Sequence, residues 1–333
     1  MIKNIFIKIK DEEDGAVIVI VAILMVVFLS LLAITLDVGS AYLETGDLQK
    51  AADAAVYSAG RLLPVQQTDT AAINGIKDSA INYAELNGYS GLTYDKIVLG
   101  NIVNGNYTAI KVTADKSVNM TFARIFGVNT INITRSAKAM LSPKNKMTGL
   151  TPIGMLKSDF DAMIQSGNTK HVVLKYGKGG GVNGFFGALD LDGSKGGGAS
   201  NYSLWIAHGY PGEVTLGDVL LYENGNMVGP TFEGFSERYN SCTHYGATTG
   251  GDGCTAEHFD PDCPRVAKVA VYYINSSYTA IVCGFASFVL ESQTSDGYIT
   301  GSFVKTLTYG GSSTGGSAGS SGDFGTYSLM LSE

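Results

Sequence analysis

The chain carries little charge and no cluster of lysine and arginine. Charged residues make up 16% of it, with 23 Lys and Arg against 30 Asp and Glu, and the formal net charge is −7. Holding nucleic-acid phosphates takes grouped cations, so a nucleic-acid partner is not expected. Histidine is also scarce, with four in all, at His171, His208, His244 and His258. None belongs to an HExxH motif, and no Ser-His-Asp order can be read from them. The glycine-rich run Gly177–Gly184 lacks the Gly-Lys-Ser/Thr ending that a phosphate loop needs. Gly315–Gly319 matches the hydrolase elbow only formally, inside a serine–glycine tract with no strand-to-helix context. Asp190-Leu191-Asp192-Gly193 places two carboxylates beside a turn glycine, but calcium needs six or more oxygens and no EF-hand glutamate follows. These shortfalls point to a protein that is not an enzyme and carries no cofactor.

Proline is absent until Pro64, and what fills that stretch is the most informative part of the chain. Ala16 to Leu36 (AVIVIVAILMVVFLSLLAITL) holds no charged residue and is long enough to cross a bilayer as a helix. Lys3, Lys8 and Lys10 precede it, whereas Asp37, Glu44 and Asp47 follow before Lys50. The positive-inside rule then places the N-terminus inside and the bulk of the chain outside, anchored by a single pass. A secretory h-region is shorter and ends in a small-residue cleavage site, which this run does not do. A different cut, between Gly15 and Ala16, would resemble prepilin processing.

Helical spacing continues past the apolar run through Leu43, Leu48, Ala52, Ala55 and Ala59. A helix over 16–60 would be about 68 Å long at 1.5 Å per residue. Gly39 and Gly46 lie seven residues apart on nearly one face, and with Ala52, Ala55 and Ala59 they offer small residues of the kind that let helices approach closely. The same alanines would equally suit packing on the chain's own domain.

Two runs in this segment, Asp37-Val38-Gly39-Ser40-Ala41-Tyr42 and Leu48-Gln49-Lys50-Ala51-Ala52-Asp53-Ala54-Ala55, resemble the N-terminal signature of the TadE/TadG-like proteins of the tight-adherence (Flp pilus) assembly system. The likeness spans about 50 residues. Prepilins usually carry Glu at the fifth position after the cut, where Ile20 stands here, and this departure resembles the TadG-like branch more than the TadE-like one. The resemblance implies a role in pilus assembly or anchoring, with no chemistry attached. Fragments further on, at 187–190, 226–231 and 284–288, resemble C-terminal regions of some TadG-like chains more patchily.

The order of parts follows from composition and periodicity. Residues 1–15 form a cytoplasmic leader and 16–60 the transmembrane, pilin-like long α-helix with its exterior extension. Residues 61–142 are expected to form a small α+β domain. Asp69 or Thr70 caps its helix, whose apolar stripe is Ile73, Ile76, Ala80, Tyr83 and Ala84. Asn104-Gly105 joins two β-rich runs, 95–103 and 106–114, as a hairpin. A short helical piece at 122–127 precedes a strand at 130–141. The polar run 143–149 is expected as a linker. Residues 150–333 are glycine-rich, with short alternating runs at 170–176, 202–207, 213–222, 266–274, 278–290, 298–307 and 326–331. They suggest a mainly antiparallel all-β, sandwich-like domain. Glu237 and Arg238, in a helical-looking patch at 235–239, are expected on a solvated face.

Cysteine is the sharpest local feature of this last region. Cys242, Cys254 and Cys263 share one loop with His244 and His258, while Cys283 sits in an apolar strand. An exported domain meets oxidising conditions and the count is even, so one or two disulfides among Cys242, Cys254, Cys263 and Cys283 are favoured. Zinc on Cys242, Cys254, Cys263 and His258 is the weaker alternative, because no C-x2-C pair is present.

The expectation is therefore a membrane-anchored, outward-facing structural or assembly component of a Tad (Flp-type) pilus apparatus, with a pilin-like subunit as one form of it. It would reside in a bacterial cell membrane with exterior domains, or in an extracellular filament. It would meet other apparatus subunits, or copies of itself, through the N-terminal helix. A surface adhesin or carbohydrate-binding protein displayed on the anchor is the alternative.

Overall fold

A computed structural model describes residues 2–175, 186–193, 198–222, 227–249, 251–275, 279–293, 298–308, 312–313, 318–319 and 322–332. The long helix is present as α1 (Ile2–Gly60). Its apolar window is not buried against the rest of the protein. Contact with the head begins beyond that window and becomes continuous over the alanine-rich end, where Leu48, Ala51, Ala52, Ala55, Val56 and Ala59 are all buried. Small side chains bring the backbone of α1 close to its neighbours, because helix separation is set by the side chains at the contact.

The first of those neighbours is a six-stranded sheet with one helix. β1 (Val65–Gln66), α2 (Thr70–Leu86), β2 (Ile97–Val103), β3 (Asn106–Asn119) and β4 (Thr130–Pro143) follow α1. Asp69 caps α2 by accepting the Ala72 N–H at 2.9 Å, satisfying one of the open donors of its first turn. Ile76, Ala80 and Ala84 turn inward onto α1, whereas Tyr83 faces solvent, a departure from the expected stripe. The hairpin turn has Asn104 and Gly105 both at positive φ, 50° and 76°, the conformation that a two-residue turn between twisted strands requires. β3 and β4 pair from Ala109 with Met140 to Asn119 with Thr130. This long ladder runs back along α1 toward the end of its apolar window.

The rest of the head comprises β5 (Lys146–Leu156), α3 (Lys157–Ser166), β6 (Val172–Lys175), β7 (Phe186–Asp190), α4 (Gly198–His208), β8 (Tyr210–Thr215), β9 (Val219–Tyr222), α5 (Val228–Asn240), β10 (Val266–Ile274), β11 (Ala280–Gln293), β12 (Tyr298–Val304), β13 (Thr306–Leu307) and β14 (Thr326–Ser332). Pairing runs β10–β5–β7–β9–β11 and returns to β10. The layers therefore close on themselves as a small barrel, with only the β10–β5 pair of this ring parallel. Met147, Leu150, Leu189, Val214, Tyr272 and Phe285 belong to one of its cores. A second core takes in Phe160 of α3, Tyr202 and Ile206 of α4, Phe235 of α5 and Phe288 of β11.

Three local expectations change. Residues 202–207, read as a strand, belong to α4. Tyr202, Ile206 and Ala207 are buried while Leu204 is exposed, a helical rather than an alternating pattern. Residues 143–149, read as a linker, contain the end of β4 and the start of β5. Met147 is buried and pairs with Val214, and Lys146 reaches Glu213 at 2.7 Å. The polar residues of that run serve a paired strand rather than a break. Finally, β14 does not join the barrel. It pairs with β4 from Tyr327–Pro143 to Ser332–Lys138, so the membrane-proximal sheet contains one of the last segments of the chain.

Gly154 shows how tightly the barrel closes. A Cβ there would stand 2.5 Å from Leu189 Cδ1 and 2.9 Å from the Tyr272 ring. Gly154→Val should lower stability by about 1–3 kcal/mol through overpacking, read as a fall in the thermal midpoint. An unchanged midpoint would show that the barrel wall yields at this point.

Candidate functional site

Asp37 is the first residue after the apolar run, and it is only 5% exposed. Its carboxylate accepts three backbone N–H groups from the tip of the β3–β4 hairpin: Thr121 at 2.9 Å and Phe122 at 2.9 Å, with Ala123 at 2.7 Å. These donors open the 3-10 turn Ala123–Phe126, which Gly127 closes at φ +84°. A carboxylate on the first N–H groups of a turn satisfies donors that have no partner of their own. Burial alone would raise the Asp37 carboxyl; the three N–H groups and Arg124 outweigh it and hold it below the usual carboxylate range. Further out, Lys116 of β3 pairs with Glu44 of α1. The hairpin is thus fixed to the helix at its tip and part-way along its length.

The turn held by Asp37 is apolar and exposed. Phe122, Ile125, Phe126 and Val128 face solvent, as do Leu36 and Val38 on either side of Asp37. They extend the apolar surface of the helix sideways at the point where the run ends. The stretch Val17–Leu36 rises about 30 Å, one hydrocarbon thickness.

The small residues of α1 divide into two sets. Ala52, Ala55 and Ala59 are buried in the chain's own core. Gly39 and Gly46 are not, since a Cβ at either would meet nothing within 4 Å. The backbone is helical through Gly15 and Ala16, the site of the alternative prepilin-type cut.

A second constellation lies in the segment between α5 and β10. All four cysteines are free thiols, so the favoured disulfides are not formed. Cys283 stands apart on β11 with its thiol toward the Val271 carbonyl at 3.4 Å, and burial pushes it up to about 11. Cys242, Cys254 and Cys263 converge with His244, their ligand atoms all within 4.8 Å of one another. His258 does not take part. Its ring lies on Tyr245, centroids 3.6 Å apart, and is exposed. The fourth member is therefore His244, two residues after Cys242 in the chain.

The surroundings of the cluster are polar in a directed way. Burial pushes the Cys242 thiol up, but the N–H groups of Cys254 and His244 and the side chain of Cys263 outweigh it and hold it at about 6. Burial and the adjoining sulfurs raise Cys263. Arg238, expected on a solvated face, is instead buried. Its guanidinium donates to the Ile206 carbonyl at 2.6 Å and to Pro264 at 2.8 Å, and burial lowers it to about 10. Carbonyl acceptors are what make a buried guanidinium tolerable. Glu237 next to it does face solvent and pairs with His208 at 3.0 Å. Arg265 lies over the Tyr239 ring at 3.8 Å and donates to the Asp252 carbonyl at 2.6 Å.

Among the described residues, the Asp190–Asp192 candidate assembles no metal site. Asp190 Oδ1 is taken by the N–H groups of Asp192 and Gly193, at 3.2 and 2.9 Å, which makes the pair a turn rather than a calcium loop. Gly177–Gly184 lies outside the described residues, as does most of Gly315–Gly319.

One exposed apolar helix, locked to a folded β-rich head through the first charged residue after its apolar run, defines an anchor-and-head protein. Residues 15–62 match the family described as "Putative Flp pilus-assembly TadE/G-like". The matched segment holds the apolar run, Asp37 and the alanine face, and ends two residues beyond α1. No curated protein and no solved structure matches the chain.

Asp37→Ala should free the hairpin tip. Amide exchange at Thr121, Phe122 and Ala123 should accelerate about tenfold or more, while the barrel strands keep their protection. Unchanged exchange at the tip would mean that packing, not the carboxylate, holds it.

Proposed function

We propose that the chain is a membrane-anchored, outward-facing structural component of a Tad (Flp-type) pilus apparatus, without catalytic activity. The observation that carries this reading is the coincidence of the family match with α1 and its junction at Asp37. The apolar run inserts by hydrophobic transfer, since its side chains find no partners in the head. The turn 122–128 then sits at the level of the lipid headgroups, with its aromatic and aliphatic side chains in the interface and Arg124 beside them. Gly39 and Gly46 leave a flat strip on α1 just above that level, suited to the helix of another subunit.

The reading is tested by deleting the chain and by weighing the native protein in two fractions. Loss of assembled filaments on deletion, with the protein in washed membranes or sheared filaments, is the expected result. Normal filaments together with a protein that stays out of both fractions would sink it. The mass then decides between forms of the reading: a chain starting at Ala16 in filaments is a pilin-like subunit, and a chain from Met1 confined to membranes is a fixed anchor. For the turn, Phe126→Trp should show quenching by brominated lipid in excess of the wild-type protein, which carries only Trp205. No excess quenching would place the turn in water.

A further inference from the structure

We propose that Cys242, His244, Cys254 and Cys263 bind one zinc ion, and that this ion is the structural cross-link of the segment between α5 and β10. The donor set comes first. Three sulfurs and one imidazole nitrogen within 4.8 Å of one another match the spacing of a tetrahedral zinc site, in which sulfurs at about 2.3 Å from the metal stand roughly 3.8 Å apart. Four protein ligands leave no open position, which is the signature of a structural rather than a catalytic zinc. A disulfide would use two of the three thiols and strand the third, since Cys283 lies on a separate strand.

The groups around the cluster suit thiolates better than thiols. The Asp260 N–H points to Cys254 Sγ at 3.5 Å and the Arg265 N–H to Cys263 Sγ at 3.4 Å. Such N–H donors stabilise sulfur that carries charge. His244 Nδ1 is buried with no hydrogen-bond partner, while its Nε2 lies 4.0 Å from the Asp260 carboxylate. Nδ1 is then free for the metal, and Nε2 faces a carboxylate, the usual kind of outer partner of a zinc-bound histidine, which ligation would draw into hydrogen-bond range. Three thiolates with Zn²⁺ leave one net negative charge. Arg238 and Arg265, both buried, bracket the segment and offset that charge.

The segment also needs such a link. Between Asn240 and Val266 it forms no strand, and the 3-10 turn Ala247–Thr249 is its single regular element among the described residues. Its core is the three thiols with Val266 and Val289, flanked by Ala247, Phe259 and Val304. An irregular stretch this long is uncommon in a compact domain without a fixing device, and a metal supplies folding free energy where apolar contacts are few.

The test uses the full-length chain purified in detergent without added metal. Elemental analysis should give about one zinc per chain, and exchange with cobalt should produce the intense visible bands of tetrahedral thiolate ligation. Cys254→Ser and His244→Ala should lose or weaken the metal, whereas Cys283→Ser and His258→Ala should retain it. The cobalt spectrum needs no variant, so a misfolded Cys254→Ser does not leave the proposal unexamined. A chain without zinc whose intact mass is lighter by two hydrogens would overturn it in favour of a disulfide. Zinc content unchanged in both Cys254→Ser and His244→Ala would overturn it as well.

Discussion

A helix that passes from lipid to water exchanges one set of partners for another within a single turn, and here that exchange is made by one carboxylate. Asp37 ends the uncharged run, yet it is buried against the tip of a hairpin and not released into solvent. A buried carboxylate is costly unless its oxygens are filled, and three backbone N–H groups fill them. Those same N–H groups would otherwise be open donors at the start of a turn. Each side of the junction answers the other's unmet requirement, so helix and head are held in one orientation rather than joined by a flexible stalk. The β3–β4 ladder and the alanine face of α1 carry that orientation into the body of the head.

Local signals in the sequence were strong where the structure is local. The uncharged run, the Asp69 cap, the Asn104-Gly105 turn and the alanine spacing each encode their element within a few residues, and each is present. Readings failed where a distant segment decides. Residues 202–207 look like a short strand until α5 and the barrel are in place to bury Tyr202 and Ile206. The polar run after Pro143 looks like a break because its partner, β8, lies some seventy residues on. Arg238 reads as a surface charge since nothing nearby in sequence announces the carbonyls of Ile206 and Pro264 that receive it.

The cysteine segment falls between these cases. Three thiols and two histidines in one loop were visible, but not which histidine turns inward. The C-x-H spacing of Cys242 and His244 was the available signal, since two ligands so close in sequence share one turn of chain. The aromatic at Tyr245 gives His258 a different neighbour and so takes it out of the cluster.

The place of β14 has a consequence for the order in which the head is made. The barrel is built from residues that lie between β4 and β14 in the chain, so the sheet beside the membrane is interrupted in sequence by the whole of its neighbour. During synthesis, β4 emerges early and keeps an unpaired edge until residues 326–332 arrive to cover it. Leu329 of that strand also packs against the end of α1 at Gly60. A nascent chain tethered by its apolar helix therefore holds an open, adhesive edge next to the bilayer until β14 is made. A chain stalled before β14 would be left with that edge bare, which makes this strand the latch of the membrane-side sheet.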